Sequence, residues 1–374
     1  MKILYVITTT DCGGAEHALL RLARAARNAG HTVKIISVKP AGTVAQQLRA
    51  DGFDVLSLDV QNKFSLRQSA RGLARLVKEI KAFRPGAVHA FLYRAIQMCR
   101  QAKKYADFKL ITTPHYNLAK QNYFKRLWDR GLKDADDISC AESQTTADFL
   151  TQKQKYDATK VRLICNGVDS AVFFPDAQAR ANERKRLGFT NRNVVFCCVA
   201  RLSKEKNHAL LLHSFCWLHA KIPQVRLVLV GDGPEKCEIE AVLRKNALEK
   251  AVLLAGEVAD VRPYLQAADV FVLPSREESL PLSLLEACAC GLPAIVSRAG
   301  DMPRVVQHGT TGFVFNGTDR ALLSMLMAEI TENAPLRREM GKIARTRTEK
   351  NYPPPEPKYL EIYAEIAQFS RENN

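Results

Sequence analysis

The chain has 374 residues, of which 47% are hydrophobic and 25% charged, and its formal net charge at pH 7 is +16. This length leaves room for two domains, and the composition is that of a globular protein rather than a low-complexity one. No apolar run approaches the roughly 18 residues that would suggest a membrane-spanning helix. The short apolar start at Lys2–Ile7 lacks a following cleavage site, so it predicts a first strand rather than a signal peptide.

The positive charge is concentrated in the first half of the chain. Residues 1–165 contain 28 Lys and Arg against 14 Asp and Glu, whereas residues 166–374 contain 27 against 25. This excess suggests an acidic partner: an anionic membrane surface, a phosphorylated substrate or nucleic acid. The alternative is that the charge serves only to keep the protein soluble. The ten cysteines form no zinc-type Cys-x2-Cys pair, and several lie in apolar runs, as expected for buried thiols in a reducing cytoplasm.

Strand-like and helical runs alternate through the first half, which is typical of a doubly wound parallel sheet. After the first strand, Gly13 and Gly14 precede a helical stripe over residues 15–27. A glycine pair at a helix N-terminus lets backbone N–H groups approach an anion, although it suits a tight turn equally well. The later strands are predicted at residues 32–37, 54–60, 87–91, 109–113, 137–140 and 161–165.

Two histidines fall near the ends of predicted strands. His89 lies within strand 87–91, and His115 follows strand 109–113 where the chain opens into a loop. A lone histidine is usually structural. His115 is the better functional candidate because ligands bind beyond the carboxyl ends of parallel strands.

Two predicted helices carry much of the basic charge. The first spans residues 66–84 and has six Lys or Arg side chains beside an apolar stripe. The second, at residues 118–133, combines aromatic and basic side chains. Such a helix can lie in a membrane interface, but the same stripe can also pack on a neighbouring sheet. Its basic and aromatic candidates for a membrane or acceptor surface are Lys120, Lys125, Arg126, Trp128 and Arg130.

An Asp-x-Asp string, Asp134 and Asp136, follows this second helix. In another fold such a string holds a metal-bound nucleotide sugar. Here it falls in a helix-to-strand turn, so we predict no metal site there.

Turn-forming residues at 166–169 and 173–176 interrupt the alternation, and we predict the interdomain linker there. A second α/β series then begins near residue 193. Arg201 at the end of its first strand and Lys206 at the next helix start would place two cations at the sheet edge. A guanidinium grips phosphate oxygens bidentately and an ammonium acts as a point charge; exposed surface cations are the alternative.

The remaining elements of the second half follow the same alternation. Strands are predicted at 225–230, 252–254, 270–273 and 311–315, and helices at 319–332 and 335–348. A Gly-Asp-Gly-Pro turn follows strand 225–230. The proline-rich residues 352–357 favour a stiff, extended connection, which would carry a final helix at 358–369 back to the first domain.

Strand 270–273 leads through Pro274 and Ser275 into a Leu-rich helix that is predicted to stop at Gly291. Glu278 and Glu286 bracket this turn with seven residues between them. A solvated turn with an amphipathic helix is the plain interpretation. The alternative is a ligand site, because a helix N-terminus at the carboxyl end of a strand suits an anion.

In this order, Arg201 with Lys206, the Gly-Asp-Gly-Pro turn, and Glu278-x7-Glu286 resemble the retaining glycosyltransferases of the GT-B fold. These are group 1 or family 4 enzymes, similar to lipopolysaccharide-core and capsule glycosyltransferases. The resemblance implies an α/β protein with two Rossmann-like, doubly wound domains facing a central cleft. The acceptor-binding domain would be residues 1–165 with the returning helix 357–374, and the nucleotide-sugar domain residues 166–352.

The resemblance also implies roles for the phosphate-binding residues. Gly13 and Gly14 would offer backbone N–H groups to the donor diphosphate. Arg201 and Lys206 would bind this diphosphate and stabilise it as it leaves.

The sugar and the nucleoside would be held by the segment that contains the two glutamates. Glu278, with the backbone of Ser279 and Leu280, would face the hydroxyls of the donor sugar, and Glu286 would hold the ribose. Many relatives have glycine where this chain has Pro281, which offers no N–H.

Three further residues complete the implied site. Glu257 and Val258 would hold the base, and His115 matches a histidine beside the transferred sugar. Phe91 replaces a histidine that is common after the position of His89, so His89 is not assigned a role.

The function implied is metal-independent hexosyl transfer from a nucleotide sugar, most simply a UDP-sugar, with GDP as the alternative. No cofactor or metal is expected beyond this donor. The acceptor would be lipid-linked, or a lipopolysaccharide or other polysaccharide, at an anionic membrane surface on the cytoplasmic side. Two alternatives are a nucleotide-sugar epimerase of the same fold and a basic nucleic-acid-binding protein, although no nucleic-acid motif is present.

Overall fold

The structure is a computed structural model that describes residues 1–11, 13–61, 66–115 and 121–372. The chain divides into two compact units, residues 1–165 with 355–374 and residues 166–354. Within the described residues, the first unit has a seven-stranded parallel sheet and the second a six-stranded one, each with helices between successive strands. The two Rossmann-like, doubly wound folds that were predicted are confirmed.

In the first unit, seven strands alternate with helices, as the sequence predicted. Its strands are β1 (Lys2–Ile7), β2 (Thr32–Ser37), β3 (Asp54–Ser57), β4 (Ala87–Phe91), β5 (Lys109–Thr113), β6 (Ile138–Ala141) and β7 (Val161–Leu163). Its helices up to residue 165 are α1 (Gly14–Asn28), α2 (Thr43–Ala50), α3 (Leu66–Phe83), α4 (Tyr93–Ala102), α5 (Tyr123–Leu132) and α6 (Gln144–Asp148).

The second unit repeats the pattern with six strands. They are β8 (Val194–Val199), β9 (Val225–Val230), β10 (Val252–Gly256), β11 (Val270–Leu273), β12 (Ala294–Ser297) and β13 (Gly312–Phe315). Its helices are α7 (Ala177–Arg186), α8 (His208–Lys221), α9 (Lys236–Lys245), α10 (Arg262–Ala267), α11 (Leu282–Ala289), α12 (Met302–Val305), α13 (Arg320–Glu332) and α14 (Ala334–Asn351).

In both sheets the strand order reverses once. The first sheet runs β3-β2-β1-β4-β5-β6-β7 and reverses between β1 and β4, and the second runs β10-β9-β8-β11-β12-β13 and reverses between β8 and β11. Because all strands are parallel, their carboxyl ends meet at one edge of each sheet. Ligands of doubly wound sheets bind at that edge, where the strand order reverses.

The first sheet is covered by apolar helices on both faces. Leu19 of α1 and Val44 of α2 belong to the cluster on one face, whereas Leu76 of α3 and Ile96 of α4 belong to the cluster on the other. Strands that are buried on both sides read as continuous apolar runs rather than alternating ones. This explains the run in β1.

The final helix, α15 (Glu356–Glu372), belongs to the first unit, as predicted. The hydroxyl of Tyr363 lies 2.7 Å from Nδ1 of His89, and Arg21 on α1 donates to Glu356 at 3.0 Å. His89 also contacts Thr113 through Nε2 at 2.7 Å and is fully buried. Burial holds the pKa of this imidazole well below its usual value, so His89 is a neutral core residue.

Strand β12 was not predicted, because its four residues directly follow Pro293 and carry no alternation. The predicted helix stop at Gly291 is confirmed, since α11 ends at Ala289 and Gly291 then adopts a left-handed φ of 77°. In the part of the chain that the structure describes, no helix is both long enough and apolar enough to cross a bilayer.

Candidate functional site

Lys206 and Glu278 form an ion pair at the carboxyl edge of the second sheet. Lys206 Nζ lies 2.6 Å from Glu278 Oε1. Lys206 ends the turn after β8, and Glu278 lies in the loop after β11. The pair therefore bridges the point where the strand order reverses, between β8 and β11. The sequence predicted both residues, but not that they contact each other.

The backbone around Lys206 is fixed by a left-handed residue. Asn207 has a φ of 58° and is buried, which is a conformation that asparagine adopts more readily than most residues. Its side-chain amide donates to the carbonyls of Pro274 at 3.3 Å and Gly317 at 3.2 Å. The turn that carries Lys206 is thus tied to the loop that carries Glu278.

Glu278 is itself held from inside the loop. Ser275 donates its hydroxyl to Glu278 Oε1 at 2.7 Å, and the Glu278 side chain is 8% exposed. The carbonyl of Ser275 accepts a hydrogen bond from Ser297 on β12. A carboxylate that already accepts bonds from Lys206 and Ser275 keeps one position, so this loop is pre-organised.

The following residues are anchored through their carbonyl groups. Leu280 is buried, and its carbonyl accepts from Asn166 at 2.8 Å. The carbonyl of Ser279 accepts from the Asp301 amide at 2.8 Å. Gly300 allows this approach, because a Cβ there would lie 2.3 Å from the carbonyl oxygen of Glu278.

Arg201 follows β8 and is exposed, beside a glycine turn after β9. A Cβ on Gly231 would lie 2.1 Å from the carbonyl oxygen of Ala200, and one on Gly233 would lie 2.4 Å from that of Leu202. The amide of Leu202 donates to the carbonyl of Asp232 at 3.0 Å. The glycine turn therefore packs directly on the backbone that positions Arg201.

The remaining predicted donor-binding residues of this unit lie along the same edge of the sheet or on the next helix. Glu286 is half-buried in the second turn of α11, eight residues after Glu278 in the sequence. Glu257 is exposed and Val258 half-buried, both just after β10, where Gly256 has a φ of 72°. The second unit thus brings the predicted ligand groups that follow β8, β10 and β11 to one edge of the sheet, with Glu286 on the neighbouring helix.

In the first unit, the glycine pair begins α1 after β1. Gly13 caps the helix and α1 starts at Gly14. The carboxylate of Glu16, in the first helical turn, lies close by, since a Cβ on Gly13 would be 2.5 Å from its Oε2. An acidic group near a helix N-terminus is favourable, so this end of α1 already has a negative charge beside it.

His115 follows β5 and has a left-handed φ of 50°. Its ring stacks on Phe91 at 5.7 Å between centroids, with 17° between the planes. Burial, and to a smaller extent the nearby charge of Arg21, lowers the pKa of His115 to about 4. The imidazole is therefore neutral at pH 7, where it can donate one hydrogen bond and accept one.

Helix α5 exposes the aromatic stripe that the sequence had placed either in a membrane interface or against a sheet. Phe124 is 79% exposed, Trp128 55% and Leu127 53%, so the stripe does not pack on the sheet. Lys125 and Arg130 are exposed on the same helix. Lys120 lies outside the described residues.

A buried ionic network that the sequence did not predict lies beneath α5. Arg100 on α4 binds Asp136 through two hydrogen bonds of 2.8 and 2.7 Å and Asp129 through one of 2.8 Å. All three side chains are about 1% exposed. Asp136, which the sequence placed in an incidental Asp-x-Asp turn, is thus a core residue, whereas Asp134 is exposed beside Lys133.

Comparison with known proteins matches both units to glycosyltransferase families. The model of Glycosyltransferase Family 4 matches residues 12–172, and that of Glycosyl transferases group 1 matches residues 179–347. Together they cover most of the chain. The protein is a glycosyltransferase and belongs to this group 1 and family 4 class. This assignment gives no support to the epimerase or to the nucleic-acid-binding protein.

Among its relatives is a putative glycosyltransferase, EpsF, of Bacillus subtilis, 29% identical over 307 residues, which are 79% of each chain. A GDP-mannose-dependent alpha-(1-6)-phosphatidylinositol monomannoside mannosyltransferase of Mycolicibacterium smegmatis is 33% identical over 188 residues, about half of each chain (48% and 49%). HepE of Anabaena, solved with UDP-glucose, is 22% identical and covers 100% of each chain with a TM-score of 0.85. This likeness confirms the GT-B fold.

Proposed function

We propose that this enzyme transfers a sugar, with retention of anomeric configuration, from a UDP-sugar to a lipid-linked or polysaccharide acceptor at the cytoplasmic face of a membrane. The observation that carries the proposal is the Lys206–Glu278 pair, held across the strand-order reversal of the second sheet. Such an edge is where doubly wound sheets bind their ligands. The remaining groups are assigned around this pair.

The donor is assigned to the second unit, with its diphosphate on the two cations. Arg201 is exposed and carries a guanidinium that suits phosphate oxygens. Lys206 would exchange its contact with Glu278 for the phosphate, and Glu278 would then accept hydrogen bonds from the sugar hydroxyls. Glu286 would accept from the ribose, Glu257 and Val258 would lie beside the base, and the amides of Ser279 and Leu280 would face the sugar.

The first unit would supply the remaining contacts to the reacting groups. Gly13 and Gly14 would direct amide groups toward the diphosphate. Neutral His115 would hydrogen-bond a hydroxyl of the transferred sugar without adding charge beside the anomeric carbon. A cation there would oppose the positive charge that develops on the sugar.

In the proposed transfer, the bond between the anomeric carbon and the diphosphate oxygen breaks as the acceptor oxygen bonds to the same face of that carbon. The acceptor hydroxyl gives its proton to the leaving phosphate. Negative charge grows on this phosphate, and fixed cations aimed at it stabilise the transition state; one such group typically contributes about 3–4 kcal/mol. Arg201 and Lys206 would provide this stabilisation, so we propose that transfer needs no metal ion.

We propose uracil as the base of the donor nucleotide. The likeness to HepE, which was solved with UDP-glucose, supports this choice. The mannosyltransferase relative uses GDP-mannose, so GDP is the alternative. The name of that relative also describes a phosphatidylinositol acceptor, which favours a lipid-linked acceptor for this chain.

The membrane association is proposed from α3 and α5. Exposed aromatic side chains with neighbouring cations suit an anionic lipid interface. On α5 these are Tyr123, Phe124 and Trp128 with Lys125, Arg126 and Arg130.

A thermal-shift panel of UDP- and GDP-sugars tests the donor, because a ligand that binds only the folded state raises stability by RT ln(1 + [L]/Kd). We expect a UDP-sugar to give the largest shift, and the shift to persist with a chelator present. Glu286→Ala should abolish it, whereas Glu332→Ala, an exposed control at the end of α13, should leave it intact. A shift that survives Glu286→Ala would disprove the ribose assignment, and a response to GDP-sugars alone would replace the proposed base.

A further inference from the structure

Helix α5 presents its sides in the reverse of the usual order. Of its residues, Asp129 is the one that is buried, at 1% exposure. Phe124, Leu127 and Trp128 are more than half exposed. A surface helix ordinarily turns its apolar stripe toward the core and its charged side toward water.

The inward side of α5 is held by charge and hydrogen bonds. Asp129 Oδ1 accepts from Arg100 Nη1 at 2.8 Å and from Gln97 Nε2 at 3.0 Å, and its Oδ2 accepts from the Tyr156 hydroxyl at 2.9 Å. Arg100 is fixed in turn by the two bonds to Asp136. The partners of Asp129 thus come from α4 and from the segment after α6.

A buried carboxylate with three partners cannot rotate outward without leaving Arg100 Nη1, Gln97 and Tyr156 unsatisfied, which is costly in a low-dielectric interior. Buried ionic groups can in this way select one arrangement among several of similar stability. The competing arrangement of α5 is a rotation about its axis that buries Phe124, Leu127 and Trp128 against the protein, as their hydrophobicity favours.

We propose that Asp129 is a positioning residue that fixes the rotation of α5 about its axis and so keeps the aromatic side facing outward, available to a lipid interface. The role of this side at a membrane rests on the proposed function. The orientation of the helix does not, so the two can be tested separately.

The test uses Trp128 as a reporter. The chain has two tryptophans, and the second, Trp217, lies in the other unit. In a Trp217→Phe background, the emission of Trp128 is recorded in buffer and with vesicles that contain phosphatidylglycerol. Asp129→Asn is compared with Asp134→Asn, the same chemical change at a side chain that is 82% exposed. Amide hydrogen exchange of α5 is measured alongside.

For the parent and for Asp134→Asn we expect the red-shifted emission of an exposed indole in buffer and a blue shift with vesicles. For Asp129→Asn we expect a blue-shifted emission already in buffer, because the aromatic side turns inward. Vesicle affinity should then be at least tenfold weaker, with unchanged UDP-sugar hydrolysis. If Asp129→Asn does not fold, Tyr156→Phe, which removes one bond to the carboxylate, should shift the emission in the same direction by a smaller amount.

Three results have separate meanings. Emission in buffer that matches the parent, with unchanged exchange in α5, would overturn the positioning role. A red shift with faster exchange throughout the first unit would also overturn it, since it would show that Asp129 only supports overall stability. A parent protein that ignores the vesicles would contradict the membrane part of the proposed function, while the buffer measurement would still decide the orientation.

Discussion

Lys206 and Glu278 neutralise each other in the structure, and under the proposed function this contact would affect both donor binding and catalysis. The ammonium has a carboxylate partner at 2.6 Å before any anion arrives. A diphosphate that binds Lys206 must therefore compete with Glu278. Under the proposed function, the pair would couple affinity for the nucleotide to the position of the carboxylate that is proposed to hold the sugar.

Variants of this pair should act in opposite directions on nucleotide binding. Glu278→Gln removes the competing charge, so we expect UDP to bind several-fold more tightly while hydrolysis of a UDP-sugar falls. Lys206→Ala should weaken UDP binding and lower hydrolysis by about 10²–10³, the usual effect of removing one transition-state donor. Titration calorimetry and initial rates measure the two effects.

Lys204→Ala provides the control, because Lys204 is an exposed cation of the same turn. It should change neither quantity appreciably. The double variant Lys206→Ala, Glu278→Gln should lose less hydrolytic activity than the sum of the two single losses, since contacting residues do not act additively. Full additivity would show that the pair has no functional coupling.

His208, at the start of α8, should make the stability of the folded protein sensitive to acid. It is fully buried, and burial followed by the charge of Lys206 lowers its pKa to about 4. An unfolded histidine takes up its proton near pH 6.5, so the unfolded state binds more protons between these values. The stability that neutral His208 contributes is complete above pH 6.5 and is lost as the pH falls toward 4.

For His208→Gln we expect the free energy of unfolding to fall less between pH 7.5 and 5 than in the parent, by about 2 kcal/mol. Urea unfolding at the two pH values measures this difference. An unchanged loss of stability on acidification would show that His208 does not titrate on unfolding in this range.

At the scale of elements, the glycine turn after β9 shows how one strand end positions its neighbour. Gly231 has a φ of 136° and no room for a Cβ, since the carbonyl oxygen of Ala200 would lie 2.1 Å away. Arg201 directly follows Ala200 in the chain. A displacement of this turn would therefore move the guanidinium that is proposed to bind phosphate.

We expect Gly231→Ala to destabilise the protein by about 3 kcal/mol, through strain and overlap together, and to weaken UDP binding. Gly188→Ala is a matched control, because Gly188 has a φ of 73° but nothing within 4 Å of its Cβ position. It should cost about 1 kcal/mol without affecting UDP. Equal effects of both substitutions on UDP affinity would contradict the positioning argument.

The sequence predicted those elements whose patterns arise from burial alone. Strands such as β1 and β9, buried on both faces, appear as continuous apolar runs, and the glycine turn was visible as Gly231 and Gly233. The orientation of α5 could not be predicted, because its aromatic stripe and its inward Asp129 compete, and tertiary partners decide between them. Arg100, a charge among apolar positions of α4, was the one available signal of that partner.

At the scale of the whole molecule, the excess of basic charge in the first half includes a continuous stripe along α3. Arg67, Arg71 and Lys78 are exposed on this helix and have no ion-pair partner among the described residues. The one acidic residue of α3, Glu79, is paired with Lys34 at 2.8 Å. The stripe is therefore a net positive surface.

We expect the triple variant Arg67→Gln, Arg71→Gln, Lys78→Gln to bind phosphatidylglycerol vesicles roughly a hundredfold more weakly, since each cation near an anionic surface contributes about 1 kcal/mol. Sedimentation with vesicles at two salt concentrations measures this, and parent binding should weaken with salt. A control that neutralises the exposed lysines 185, 245 and 350 of the second unit should retain binding. Equal losses in both triples would indicate that only net charge matters.

The return of α15 to the first unit makes the completion of that unit depend on residues that follow the second unit in the sequence. Tyr363 supplies the hydroxyl that satisfies buried His89, and Tyr359 and Ile366 fill the apolar cluster beside α1. These residues leave the ribosome after the whole second unit, so the second unit can finish folding first. Domains generally fold in order from the N-terminus; we expect the reverse order here, because a helix that follows the second unit closes the core of the first.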